Sequence, residues 1–262
     1  MHLVIPARLG STRLPRKPLV EIAGKPMIVW VAERASLVVA DDLIVAVDDQ
    51  EVMDVVRQHG FECLLTSKGH RSGSDRVLEV ASELGWKDED VLVNVQGDEP
   101  LLPTDIVNQL ISFMKSDEDS GIEFATVSEP LSDQSEFENP NCVKVVTDRD
   151  DVALYFSRAP IPFPRDHGVS EATSNGDYNN LVKVDYPIKR HVGIYAFRVH
   201  ALREFSALPE SGLERLEKLE QLRWLEAGRK IHVIHSQELL PGGIDTPEDL
   251  ALVEPLLLKK QK

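Results

Sequence analysis

Four cations, Arg8, Arg13, Arg16 and Lys17, lie close together near the start of the chain, with Gly10, Ser11 and Thr12 between them and no acid among them. Small residues leave backbone N–H groups open to a ligand, and clustered cations beside them can hold a triphosphate against its own repulsion. The chain as a whole carries a formal charge of −15, so this basic stretch runs against its own composition. Pro15 and Pro18 stiffen it, which fits a loop whose shape matters. Two acids at distant points complete the chemistry. Asp98, in Gln-Gly-Asp-Glu-Pro, either caps a turn or ligates a metal, and Asp245, in Gly-Gly-Ile-Asp-Thr-Pro-Glu-Asp-Leu, either starts a helix or supplies a second carboxylate. Mg²⁺ at a nucleotide site is commonly held by one or two carboxylates together with phosphate oxygens.

A second small-residue turn, Arg71-Ser72-Gly73-Ser74-Asp75-Arg76, leads into a helical pattern. There Ser72, Gly73 and Arg76 could meet a base or phosphate at a helix N-terminus, while the plainer reading makes Ser74 an N-cap. Further on, Ser157-Arg158, Arg165, Lys189-Arg190-His191 and Glu220-Gln221 offer the groups a hydroxylated carboxylic acid needs. Arginine forks onto a carboxylate, and Glu and Gln read hydroxyls. His232 and His235 are not spaced for one strand face, so no metal is expected there.

The elements that must position these residues alternate strand and helix through the first half, as βαβ units around a mainly parallel sheet do. Strands are expected at 3–5, 43–47, 61–65 and 91–95, and helices at 25–39, 51–59, 75–84 and 104–115. The strand at 91–95 delivers Asp98 to a C-terminal sheet edge, where ligands bind in open α/β sheets. Strands at 124–127, 143–147, 153–156, 192–197 and 231–234 follow with few helices between them, which predicts a mixed or antiparallel portion. Helices are expected at 213–227 and 246–257, the latter with Thr246 as N-cap and Pro247 at its first position. Residues 162–189 show no periodicity and read as a long mobile loop near a site or interface. The whole is expected to be one α/β domain over 1–262, with the mixed sheet and the loop at about 124–235.

At 262 residues, 42% hydrophobic and 28% charged, the composition is that of a soluble globular protein. Its acidity argues against nucleic-acid binding, which needs a broad basic face. No apolar run is long enough to span a membrane, and no basic-then-apolar leader opens the chain, so export is not expected and a cytoplasmic location is. Cys63 and Cys142 lie in apolar strand-like runs without CxxC spacing and are expected to be reduced core residues.

The loop IPARLGSTRLPRKPL, followed by IAGKPMI, HRSGSDR, NVQGDEP, NPNCVKVV, LYFSRAPIP, RHVGIYAF, LEKLEQLRWL and GIDTPEDL, resembles the 3-deoxy-manno-octulosonate cytidylyltransferases, in the same order and over nearly the whole chain. The resemblance implies a Rossmann-like sheet flanked by helices, of the nucleotide-diphospho-sugar transferase type. It implies transfer of CMP from CTP to the anomeric hydroxyl of 3-deoxy-D-manno-octulosonate (KDO) for lipopolysaccharide assembly, with Mg²⁺ and a homodimer. Ala7, Arg8, Ser11, Arg13, Lys17, Ser72, Gly73, Arg76, Gln96 and Asp98 would hold the nucleotide, with Arg8, Arg13, Lys17 and Asp98 acting on the transferred phosphoryl. Asp98 and Asp245 would ligate Mg²⁺, and Gln96, Arg158, Arg165, His191, Tyr195, Glu220 and Gln221 would line the sugar pocket. Arg16 departs from the family, which usually has Gly there, and is expected to avoid positive φ unless the loop is rearranged. The competing readings are activation of 8-amino-KDO or a sialic acid, and a nucleotide sensor without catalysis.

Overall fold

Strand β1, His2–Ala7, is paired on both edges, and Leu3, Val4 and Ile5 have no solvent exposure because helices pack on the sheet beside it. The computed structural model describes residues 1–11, 14–116, 121–131, 133–165 and 188–260. They form two compact units: Met1–Ser116 with Ile194–Ser206 and Pro241–Lys262, and Asp117–Gly193 with Ala207–Leu240.

In the first unit β1 pairs in parallel with β4 (Asp42–Val47) and β6 (Val91–Asn94), and β4 pairs in parallel with β5 (Cys63–Leu65). The second half of β10 (Lys189–Arg198) lies antiparallel to β6, with Tyr195 opposite Asn94. The helices are α1 (Met27–Ala35), α2 (Gln50–Gln58), α3 (Gly73–Glu83) and α4 (Thr104–Ser116). Helix α1 buries Met27 to Ala32 without a break, so it is enclosed rather than amphipathic. It joins Leu14, Ile22, Leu101, Ile244, Val253 and Leu257 in one core that ties the basic loop to the last helix. The mainly parallel sheet flanked by helices is thus the architecture the alternating pattern predicts.

Three local differences have clear causes. The expected helix at 25–39 begins at Met27, because Lys25–Pro26 (β3) pairs with Glu21–Ile22 (β2). Ala23 and Gly24, both at positive φ, make the intervening turn, as a tight two-residue hairpin requires. The expected helix at 213–227 is two helices, Gly212–Glu217 and Leu222–Glu226, because Lys218 adopts the left-handed conformation at φ 54. Ser72, not Ser74, caps α3, accepting from Asp75 N–H at 3.2 Å, while Ser74 is fully buried.

The second unit holds β7 (Phe124–Pro130), β8 (Lys144–Thr147), β9 (Ala153–Ser157), the first half of β10 and β11 (His232–His235). β8 runs antiparallel to β9 and β10, and β11 runs parallel to β7, so the expected mixed portion is present. Short helix α5 (Gln134–Glu138) belongs to this unit, and α6 (Val199–Ala207) follows β10. In chain order the next helices are α7 (Gly212–Glu217), α8 (Leu222–Glu226) and α9 (Pro247–Lys260). Most of the loop expected at 162–189 lies outside the described residues.

Candidate active site

The strands of the first unit end in a cleft of about 400 Å³, lined by four segments that are distant in sequence. The end of β1 and the basic loop contribute Pro6, Ala7, Arg8, Gly10, Ser11 and Lys17. The start of α3 contributes Ser72, Gly73 and Arg76 with His70 and Arg71 before it, the loop after β6 contributes Gln96, Gly97 and Asp98, and Asp245 comes from the run into α9. Every nucleotide- and metal-side residue read from the sequence is therefore collected here, apart from Arg13, which lies outside the described residues.

Lys17 sits at the centre of the charge. Its Nζ donates to Asp98 Oδ2 and, at 2.8 Å, to Asp245 Oδ1. Two carboxylates thus converge on one cation, which offsets their mutual repulsion. Such a pair has the donor chemistry of a Mg²⁺ site completed by phosphate oxygens, although among the described residues no cluster of three or more His, Cys, Asp or Glu could enclose a metal alone. The backbone holds this arrangement firmly. Ile244 N–H donates to Asp98 O at 2.9 Å, and a Cβ on Gly243 would come within 3.4 Å of that same oxygen. Gly97 is more tightly placed: a Cβ there would stand 2.8 Å from Pro6 O, so only glycine lets the Asp98 loop approach β1 this closely.

Three further acids outside the sequence reading hold the cleft together. Asp249 Oδ2 accepts from Asp245 N–H at 2.9 Å and Thr246 N–H at 2.8 Å, while Thr246 Oγ1 accepts from Asp249 N–H at 3.2 Å. Burial opposes ionisation of Asp249, yet these N–H donors hold its carboxyl below the usual range. The capping-box spacing Thr-Pro-Glu-Asp was the signal for it. Asp48, at the end of β4, accepts from Leu9 N–H at 2.9 Å and from Arg76 Nη2 at 3.2 Å. The Arg76 guanidinium also donates to Thr66 Oγ1 at 2.5 Å, so it is committed to fixing the cleft wall. Glu79 pairs with His70 and accepts from Ser67 N–H, which steadies the turn before α3.

Arg16 corrects the expectation made for it: it takes the left-handed conformation directly, with φ 56 and ψ 34, before the 3-10 turn Lys17–Leu19. Its guanidinium pairs with Glu51 at 2.5 Å at the surface.

The sugar-side residues divide between the units. Gln96 and Tyr195 belong to the first, where Tyr195 is 6% exposed and packs against Phe197. Arg158, Arg165, His191, Glu220 and Gln221 belong to the second, and Arg165 is exposed there. His191 Nε2 is 3.0 Å from Thr126 Oγ1, and its ring meets Phe156 edge to face. Burial, assisted by the neighbouring Arg190 charge, pushes His191 down to about 3, so it is a neutral imidazole at physiological pH. Arg158 donates to the carbonyls of Glu217 (Nε, 2.6 Å) and Pro140 (Nη1, 2.8 Å). Gln221 is buried and Glu220 partly buried at the break between α7 and α8. Cys142 is buried as expected, whereas Cys63 is only half-buried because it opens the short strand β5; burial pushes both thiols up to about 11, which leaves them unreactive.

Residues 2–231 match the family model described as cytidylyltransferase. Three curated proteins named 3-deoxy-manno-octulosonate cytidylyltransferase are similar over nearly their full length. The one from Saccharophagus degradans is 49% identical, over 97% of this chain and 97% of its own. That from Cellvibrio japonicus is 46% identical over 98% and 97%, and that from a Psychrobacter species 48% over 95% and 91%. A solved structure of a CMP:2-keto-3-deoxy-manno-octonic acid synthetase complexed with CTP superposes with a TM-score of 0.85 at 39% identity, covering 98% of both chains. A cytidylyltransferase from Leptospira borgpetersenii, at 15% identity and a TM-score of 0.61, shares the fold. With a cleft built from its own ordered motifs and relatives alike from end to end, the chain belongs to the 3-deoxy-manno-octulosonate cytidylyltransferase family.

Proposed function

We propose that the protein transfers CMP from CTP to the anomeric 2-hydroxyl of KDO and releases pyrophosphate. The observation that carries this reading is the convergence of Lys17, Asp98 and Asp245 in a cleft whose other walls are a basic loop and the start of α3. The acceptor hydroxyl attacks the α-phosphorus in line, the bond to the bridging oxygen of pyrophosphate breaks, and the hydroxyl proton leaves to solvent or base. Little covalent chemistry falls to the protein, so its work is positioning and charge stabilisation.

Arg8, Arg13 and Lys17 hold the triphosphate, and Ser72 and Gly73 offer the N-terminus of α3 to the nucleotide, where the helix dipole favours an anion. Arg76 supports that wall through Asp48. Gln96, Arg158, Arg165, His191, Tyr195, Glu220 and Gln221 take the sugar acid, with the neutral His191 suited to reading a hydroxyl. Asp98 and Asp245 fit Mg²⁺, since they already share one cation, and the ion when bound supplies charge neutralisation for the phosphates. The product feeds lipopolysaccharide assembly, and the enzyme works in the cytoplasm as a homodimer. A nucleotide sensor is less well supported, because it has no need of a paired acidic cation site.

Incubation with CTP, KDO and Mg²⁺, followed by ³¹P and ¹³C spectroscopy, tests the reading. A single phosphodiester resonance coupled to C2 of the sugar is expected. CMP attached at another carbon, or CTP unchanged in the presence of KDO, would refute it.

A further inference from the structure

Glu217 occupies the last position of α7, where a negative charge faces the unfavourable end of the helix dipole. The helix therefore does not account for it. Its contacts do. Oε1 accepts from Ser157 Oγ at 2.6 Å and Oε2 accepts from Arg158 N–H at 2.9 Å, so the carboxylate grips the end of β9 by two consecutive residues. Arg158 returns the contact to α7: Nε donates to Glu217 O at 2.6 Å and Nη2 reaches Lys218 O at 3.5 Å. These carbonyls are left without intrahelical partners when the left-handed Lys218 ends α7, and a guanidinium is a suitable cap for them.

The far side of the same peptide is fixed as well. Lys144, fully buried, donates from Nζ to Arg158 O at 2.7 Å and to Cys142 O at 2.7 Å. Arg158 is thus held at its N–H by Glu217, at its C=O by Lys144, and along its side chain by the end of α7. Among the described residues no carboxylate forms an ion pair with its guanidinium; the Glu217 carboxylate holds the main chain instead. The three guanidinium nitrogens each donate to a backbone carbonyl, of Glu217, Pro140 and Lys218, so among the described residues the charge is not neutralised by an acid and two of the five N–H groups remain for an anionic ligand. The same clasp sets the break that separates α7 from α8, and Glu220 and Gln221 lie in that break.

We infer that Glu217 is the positioning residue of the sugar-acid end: it sets Arg158 and the Glu220–Gln221 turn for the acceptor carboxylate and hydroxyls without touching the acceptor itself. The inference rests on the reading of Arg158, Glu220 and Gln221 as acceptor-side residues.

The test is initial-rate kinetics on the full-length protein with CTP and KDO varied separately, alongside thermal unfolding. Glu217→Ala is expected to raise KM for KDO by about tenfold while KM for CTP moves by less than about twofold. Glu217→Gln can accept the Arg158 N–H and donate to Ser157 Oγ, so it should restore KM for KDO to near the starting value. Ser157→Ala, a milder loss of one leg, should raise KM for KDO by a smaller factor with the unfolding temperature unchanged. An unaltered KM for KDO in both Glu217→Ala and Ser157→Ala would overturn the inference, as would an equal rise in both KM values. Arg158→Ala and Gln221→Ala separate this from the underlying reading. If they raise KM for KDO and Glu217→Ala does not, only the positioning role falls; if none does, the acceptor-side reading falls with it.

Discussion

Lys17 shows how a single side chain organises the cleft, because it bridges two carboxylates that lie 81 and 228 residues away from it. Asp98→Asn keeps the shape but removes one of the two negative charges proposed to hold Mg²⁺. We expect kcat to fall by at least about 100-fold with the unfolding temperature little changed. Turnover that survived the substitution would rule out the proposed role of Asp98 as a metal ligand. Arg16 gives a prediction of the opposite kind. A non-glycine residue at positive φ is strained, and its exposed pair with Glu51 returns little. Arg16→Gly should therefore raise stability by about 0.5–1 kcal/mol in urea unfolding; a loss would mean the Glu51 pair is worth more than the strain. Much at this scale was legible in the sequence, since Lys17, Asp98 and Asp245 could be named from motif context. Asp48 and Glu217 could not, because each acts on backbone groups brought near it only by the fold.

At the scale of elements, local chemistry decided where reading by periodicity succeeded. The strands β1, β4 and β6 announce themselves as short apolar runs, and their helices end near Gly60 and Gly85, both at positive φ. Periodicity failed where one residue changes the backbone: it carried a helix through Lys218, whose left-handed conformation has no apolar signature. It also ran a helix back over Lys25–Pro26, where pairing with β2 wins. The placing of Gly97 depends on a contact with Pro6 across the sheet, which no local pattern reveals. Gly97→Ala should cost about 1–3 kcal/mol by overpacking and lower kcat through displacement of Asp98. Unchanged stability and rate would show that the Asp98 loop has room to spare.

For the molecule as a whole, charge and acidity set the behaviour. His191 and His235 both have depressed pKa values, burial being the main cause for each, with the nearby Arg190 and Lys189 charges adding to it. Each binds a proton more readily once unfolded, and His191 is neutral in the folded protein. Their contribution is complete above about pH 6.5 and is lost as pH falls toward the folded pKa, for His191 at about 3. The urea midpoint should drop between pH 7 and pH 5, and His191→Gln should flatten that drop; an identical slope would place the proton uptake elsewhere. Among the described residues no helix is long and apolar enough to cross a membrane. The proposed homodimer is a matter for sedimentation equilibrium, where a mass near twice 29.3 kDa is expected.

The most direct test of the account is pyrophosphate release from CTP and Mg²⁺ with KDO, 8-amino-KDO and N-acetylneuraminate each offered separately, against a control without sugar. Release with KDO and none above the control with the other two is the predicted result. Release with another acid alone would keep the mechanism but contradict the substrate, and no release from folded protein that still binds CTP would contradict catalysis itself.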